Sequence, residues 1–165
     1  MTFARRHPTL APVGVAVAAA LGVAVLGGLA TDIGSWYRGL RQPAWKPPDA
    51  WFGPAWMTIY ACAAAAGVLA WRAGPDRAAR ERLLAAFALN GFVNVLWSLL
   101  FFRLRRPDWA LAEVVFLWGS IVVLLVMAAR RSRLGGALIV PYLLWVGFAA
   151  VLNASVVRLN GPFGG

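Results

Sequence analysis

One cysteine, one histidine and six acidic side chains are all that this 165-residue chain offers to disulfide, metal or acid–base chemistry. Cys62 has no second cysteine to pair with, and together with His7 it falls short of the ligand set of a zinc site, so no metal is expected. The iron of a tetrapyrrole would find no usual axial ligand except His7, near the N-terminus. A Ser/His/Asp set, paired carboxylates at useful spacing and a glycine-rich phosphate loop are missing too, which removes hydrolysis and phosphoryl transfer. Polar stretches are equally scarce. Only 13% of the residues are charged and 61% are hydrophobic, with a mean hydropathy of +0.70.

A chain of this composition belongs in a bilayer. Apolar stretches recur near 11–30, 52–71, 83–102, 109–129 and 135–157, each about the 20 residues that a hydrocarbon core requires. None alternates like a barrel strand, and within lipid every backbone polar group must be paired inside the protein. The expected fold is therefore all-α and integral to the membrane, a five-transmembrane-helix bundle forming one domain over 1–165. Arg5, Arg6 and His7 precede the first stretch as in a secretory signal, but its length exceeds the roughly 7 to 15 apolar residues of such a signal, and it is read as the first span. Pro141 falls inside the fifth span and is expected to kink or unwind it.

The net charge of +10 is spread in clusters between the apolar runs. That layout fits orientation and anionic headgroups rather than nucleic acid, which is not expected as a partner. Nine basic residues fall on the side of the N-terminus and seven on the other, a slight preference for a cytoplasmic N-terminus.

Against these scarcities stands an excess of tryptophan. The connector and helix start WYRGLRQPAWKPPDAWFGPAWMTIY, Trp36 to Tyr60, holds four tryptophans and four prolines. Pro43, Pro47 and Pro48 stiffen the loop over 31–51, so Trp45 and its neighbours form either an aromatic belt at headgroup level or a semi-rigid ligand lid. Asn90, Asn94, Trp97 and Phe101 share one face of the third span, and Tyr142, Trp145, Ala149 and Asn153 one face of the fifth. Trp109 and Glu113 open the fourth. Such faces suit either an apolar pocket with a few orienting polar atoms or hydrogen bonds between helices. For Glu113 a partner among Arg103, Arg105 and Arg106 is expected.

The blocks WYRGLRQPAWKPP, GPAWMTIY, NVLWSLLFF, PDWALAE and PYLLWVGFAAVLN, in this order, resemble the TspO/MBR family of tryptophan-rich sensory proteins and translocator proteins over almost the whole chain. The resemblance implies a five-helix bundle, often a homodimer, whose cavity is closed by the first loop. Porphyrins (protoporphyrin IX or haem) are the implied ligands, with no cofactor required. It also implies a pocket of Trp45, Asn90, Asn94, Trp97, Trp109, Leu117, Trp145, Phe148 and Ala149, to which the residue faces and the loop add Tyr142, Pro47 and Pro48. Asn90 stands where relatives often carry Gln, and the sterol-recognition element of animal members lacks its aromatic between Leu152 and Arg158. The expected function is tetrapyrrole binding in a sensory, regulatory or scavenging role, with Arg38, Arg41 or Lys46 available to the propionates. The alternatives are light-dependent porphyrin degradation, with Trp45 and Trp145 as candidate catalytic residues, and transport of porphyrins or sterol-like lipids. A multi-pass protein of a bacterial membrane, inner or outer, is expected.

Overall fold

The computed structural model describes residues 10–163, so Arg5, Arg6, His7 and the last two glycines lie outside the described residues. Helix α1 (Ala11–Ala30) carries Pro12 in its first turn, where a missing N–H costs little, and ends where the Thr31 hydroxyl donates to the Gly27 carbonyl at 2.8 Å. The connector to α3 (Phe52–Arg72) contains a short helix α2 (Ser35–Gly39) and a 3₁₀ turn (Asp49–Trp51). Helix α4 (Arg77–Ser98) begins at Asp76, whose carboxylate accepts from the Ala79 N–H at 2.7 Å. That cap extends the third span six residues upstream of the apolar run beginning at 83. Helix α5 (Pro107–Ala129) opens on its proline. Helix α6 (Arg133–Asn160) is capped by the Ser132 hydroxyl, which accepts from the Gly135 N–H at 3.1 Å. Helices α1, α5 and α6, together with α3 and α4 extended by their adjoining turns, are long and apolar enough to cross a membrane.

Helix α5 is the centre of the bundle. Ala110, Val114, Leu117, Ile121, Leu124 and Ala128 recur at three- and four-residue intervals and are all buried, against α4 on one side and α6 on the other. By contrast, α1 buries only Gly27 and Ala30 and leans on α3 and α4. Outward-facing residues include Phe92 and Phe116, 66% and 72% exposed, an apolar surface suited to lipid and a liability in water. The protein is thus a multi-pass integral membrane protein built as a five-helix bundle.

Two backbone features depart from the sequence reading. Helix α6 runs unbroken past Pro141, whose exposed position keeps the ring clear of the core while the helix loses a single N–H donor. The irregularity falls in α4 instead, which widens into a π turn at Leu99–Arg103, with the Leu104 N–H reaching back to the Leu99 carbonyl at 2.9 Å. Arg105 then takes a φ of 53° to reverse the chain into α5. The widened turn buries Phe101 and brings Phe102 to 4.7 Å from it, ring centre to ring centre.

Candidate ligand site

At the start of the tryptophan-rich connector, residues of all five spanning helices line a cavity of about 350 Å³. Phe52, Trp56 and Tyr60 recur every four residues on α3 and so share the face turned to it. Trp56 stacks on Tyr60 at 5.4 Å. Opposite them Gly27 and Gly28 of α1 leave room that larger side chains would take, and Leu117 of α5 with Val146 and Ala149 of α6 supply an apolar wall. Polar atoms are few and convergent. The Tyr60 hydroxyl donates to Asn94 Oδ1 at 3.1 Å, and Asn94 Nδ2 donates to the Tyr142 hydroxyl at 3.0 Å. One amide thereby ties α3, α4 and α6 together. Trp97 also lines the cavity, and its buried indole N–H has no partner among the described residues. In lipid an unpaired donor is costly, so this N–H is ready to donate to an acceptor on a ligand.

The start of the connector, Thr31 and Ile33, reaches this cavity, and the rest of the connector is held at several points. Asp49 pairs with Lys46 and accepts from the Tyr37 hydroxyl at 3.0 Å, while the Lys46 ammonium lies 5.6 Å from the Tyr37 ring centre and 5.8 Å from that of Phe52. Burial, and then the hydrogen bond to Asp49, push the Tyr37 phenol above its ordinary pKa. Midway along it the Arg41 N–H donates to Asn160 Oδ1 and Asn160 Nδ2 donates back to the Arg41 carbonyl, both at 2.8 Å. Trp45 closes the row: its ring meets Phe148 edge-on at 5.8 Å, Phe148 lies 5.4 Å from Trp145, and Trp145 lies 5.5 Å from Phe52. Removing the Asn160 clamp frees the middle of the connector. In Asn160→Ala, ligand release measured by stopped-flow fluorescence is expected to quicken about five- to thirtyfold, the worth of two ordinary hydrogen bonds.

The TspO/MBR family profile matches residues 15–159, most of the chain. The chain belongs to the TspO/MBR family. Among its relatives the tryptophan-rich protein TspO of Chlorobaculum tepidum is 35% identical over 127 residues, covering 76% of this chain and 80% of the relative. Protein CrtK of Rhodobacter capsulatus is likewise 35% identical, over 77% of this chain and 79% of its own length. The translocator protein of Sus scrofa is 34% identical, over 76% and 75% respectively. Relatives from bacteria, an archaeon and animals share the likeness, so it does not single out a bacterial source.

Within this TspO/MBR bundle the residues selected from sequence separate into groups. Asn94, Trp97, Leu117 and Ala149 line the cavity under the connector. Asn90 and Tyr142 line a second cavity in the other half of the bundle, and the Asn90 amide donates to the Ser120 hydroxyl at 2.8 Å. Trp45, Trp145 and Phe148 form the aromatic row beside the first cavity rather than its lining. Pro47 is half-buried in the connector, and the Pro48 carbonyl accepts from the Trp51 N–H at 3.0 Å.

Trp109 lies outside the cavity lining: it is 51% exposed, with the Arg106 guanidinium 4.2 Å from its ring centre. The expected ion pair of Glu113 is absent. Both of its carboxyl oxygens are buried without a partner among the described residues, because α5 starts at Pro107 and carries Glu113 nearly two turns inward. The arginines have nearer partners, Asp108 for Arg106, the Leu29 carbonyl at 2.5 Å for Arg103 and the Trp36 ring for Arg105. Asn153 is an interhelical link: with its amide oriented to suit its neighbours, it donates to the Pro107 carbonyl at 3.0 Å and accepts from the Leu111 N–H at 3.1 Å. The stripe of Phe52, Trp56 and Tyr60 was not selected from sequence, although its four-residue spacing carried the signal.

Proposed function

We propose that this protein binds a tetrapyrrole, protoporphyrin IX or haem, in the cavity beneath the connector, and serves a sensory, regulatory or scavenging role in its membrane. The observation that carries the reading is an apolar, aromatic space in which a Tyr60–Asn94 pair and the unpaired Trp97 N–H converge. Flat aromatic ligands gain from stacked and edge-on rings, and a few fixed polar atoms set their orientation. A porphyrin with its side chains is larger than 350 Å³, so binding requires the helices and the start of the connector to part. The propionates then lie at the membrane surface, within the field of Lys46 and the exposed Arg38. Relatives named tryptophan-rich sensory protein and translocator protein are in keeping with a small-molecule role at the membrane.

Trp97→Phe tests the reading at a single atom. It keeps the aromatic wall and removes the N–H, and affinity for protoporphyrin IX, measured in the dark by equilibrium titration, is expected to fall about fivefold. An unchanged affinity would take Trp97 out of the ligand's polar contacts.

The aromatic row favours a second reading. Phe52, Trp145, Phe148 and Trp45 run from the cavity wall to the membrane surface at ring separations of 5.4 to 5.8 Å. Trp145 and Trp45 in such a row suit one-electron donation to an illuminated porphyrin, which passes the electron on to dioxygen as the terminal oxidant. Light-dependent formation of a porphyrin breakdown product that falls in Trp145→Phe, with dark binding retained, would support degradation over binding alone.

A further inference from the structure

A second, larger cavity occupies the half of the bundle away from the connector, about 820 Å³ between α1, α3 and α4. Its walls are small and apolar: Ala16, Ala20 and Val23 of α1, Ala63 and Gly67 of α3, and Phe87 of α4. Gly91 pinches the inner end, where a Cβ would stand 2.9 Å from a Val23 methyl, and Tyr60, Asn90 and Tyr142 form the floor near mid-membrane. Toward the surface the cavity ends at Trp71 and Arg80, with the Arg80 guanidinium 5.7 Å from the Trp71 ring centre.

At that mouth Arg80 makes no ion pair among the described residues. Arg80 Nε is buried and has no hydrogen-bond partner among the described residues. The nearby carboxylates are engaged: Asp76 caps α4 through the Ala79 N–H, and Glu81 accepts from Arg77 Nε at 2.6 Å. Arg131, from the connector between α5 and α6, donates to the Ala79 carbonyl at 2.7 Å and adds positive charge on the same side. A guanidinium with a free Nε matches an oxyanion through two parallel hydrogen bonds. An apolar channel leading inward from such a group matches a hydrocarbon chain.

We infer that this cavity is a binding site for an anionic phospholipid of the surrounding leaflet, its phosphate on Arg80 and one acyl chain lying between α1, α3 and α4 toward Asn90. The source is the leaflet itself, because the basic connectors on this side concentrate anionic headgroups. In addition, exposed residues of the lining, Val15, Leu84 and Phe92, open the space sideways to lipid. This site stands apart from the porphyrin reading, since the two cavities share only Tyr60 among their walls.

The test is native mass spectrometry of the full chain, released from detergent containing equal amounts of phosphatidylglycerol and phosphatidylcholine with identical chains, and in a second arm oleic acid. The wild type is expected to retain one phosphatidylglycerol about tenfold more than phosphatidylcholine, and oleic acid should not displace it. Arg80→Gln should bind the two phospholipids equally. Ala16→Phe, which fills the channel from α1, should lose both while its unfolding midpoint stays within a few degrees of wild type. A photoreactive group near the chain terminus of phosphatidylglycerol should label peptides containing Tyr60 or Asn90. Equal retention in the wild type, unchanged preference in Arg80→Gln, displacement by oleic acid, or a lipid-free pair of chains occupying this face would each overturn the inference.

Discussion

Protoporphyrin IX binding is expected to weaken about thirtyfold or more in Ala149→Trp, with the fold intact. Ala149 lines the cavity under the connector beside Leu117 and Val146, and an indole there takes up a large part of about 350 Å³. Ligand and side chain would then compete for the same space. Overpacking typically costs 1 to 3 kcal/mol, and every 1.4 kcal/mol is a factor of ten in affinity. The loss should appear in both retention and quenching assays, since it concerns space and not one polar contact. Val115→Trp is the matching control: Val115 is 67% exposed on the outer face of α5, and affinity should not change. If Ala149→Trp binds as wild type does, the ligand sits elsewhere.

The second large effect concerns stability. Helices α5 and α6 make the most extensive contact in the bundle, and Gly136 lies where they come closest after the turn that joins them. A Cβ at Gly136 would stand 2.6 Å from the Ala129 Cβ and 2.9 Å from its Cα, closer than carbon atoms pack. The obstacle is backbone and a short side chain, which cannot swing aside. Gly136→Ala is therefore expected to destabilise by about 2 kcal/mol, and Gly136→Val by more, despite the better helix propensity of alanine. Gly119 on α5 has nothing within 4 Å of its own Cβ position, so Gly119→Ala should leave stability unchanged or raise it slightly. Reversible unfolding in mixed micelles, followed by helical circular dichroism, measures the contrast.

The number and type of helices were legible because lipid imposes both length and internal pairing, and hydropathy reports them directly. Helix ends were less so. Asp76 and Pro107 set the starts of α4 and α5 through local capping and proline chemistry, outside the apolar runs. The face of α4 bearing Asn94 and Trp97 could be read from a 3.6-residue period, yet the same period placed Asn90 with them although it opens on the other cavity. A helix face spans both leaflets, and depth along it decides which space a side chain meets.

Other readings failed for reasons of tertiary placement. Glu113 was assigned an arginine on proximity in sequence, whereas the π turn and the reversal at Arg105 carry those arginines to other partners. Trp109, a pocket residue by resemblance, lies outside the lining of both cavities, half-exposed beside the Arg106 guanidinium. The stripe of Phe52, Trp56 and Tyr60 is masked in the sequence because its helical period begins inside a segment dense in tryptophan and proline.

The proposed tetrapyrrole site is the cavity beside the tryptophan-rich connector. Its most direct test is an equilibrium titration of the wild-type chain in nanodiscs with protoporphyrin IX in the dark, following tryptophan quenching and the porphyrin absorption band together. Saturation is expected at one porphyrin per chain, with both signals reaching their plateau at the same ratio. A linear, non-saturating rise in quenching, equal to that of nanodiscs carrying an unrelated five-helix protein, would mean that the porphyrin only partitions into lipid and would contradict it.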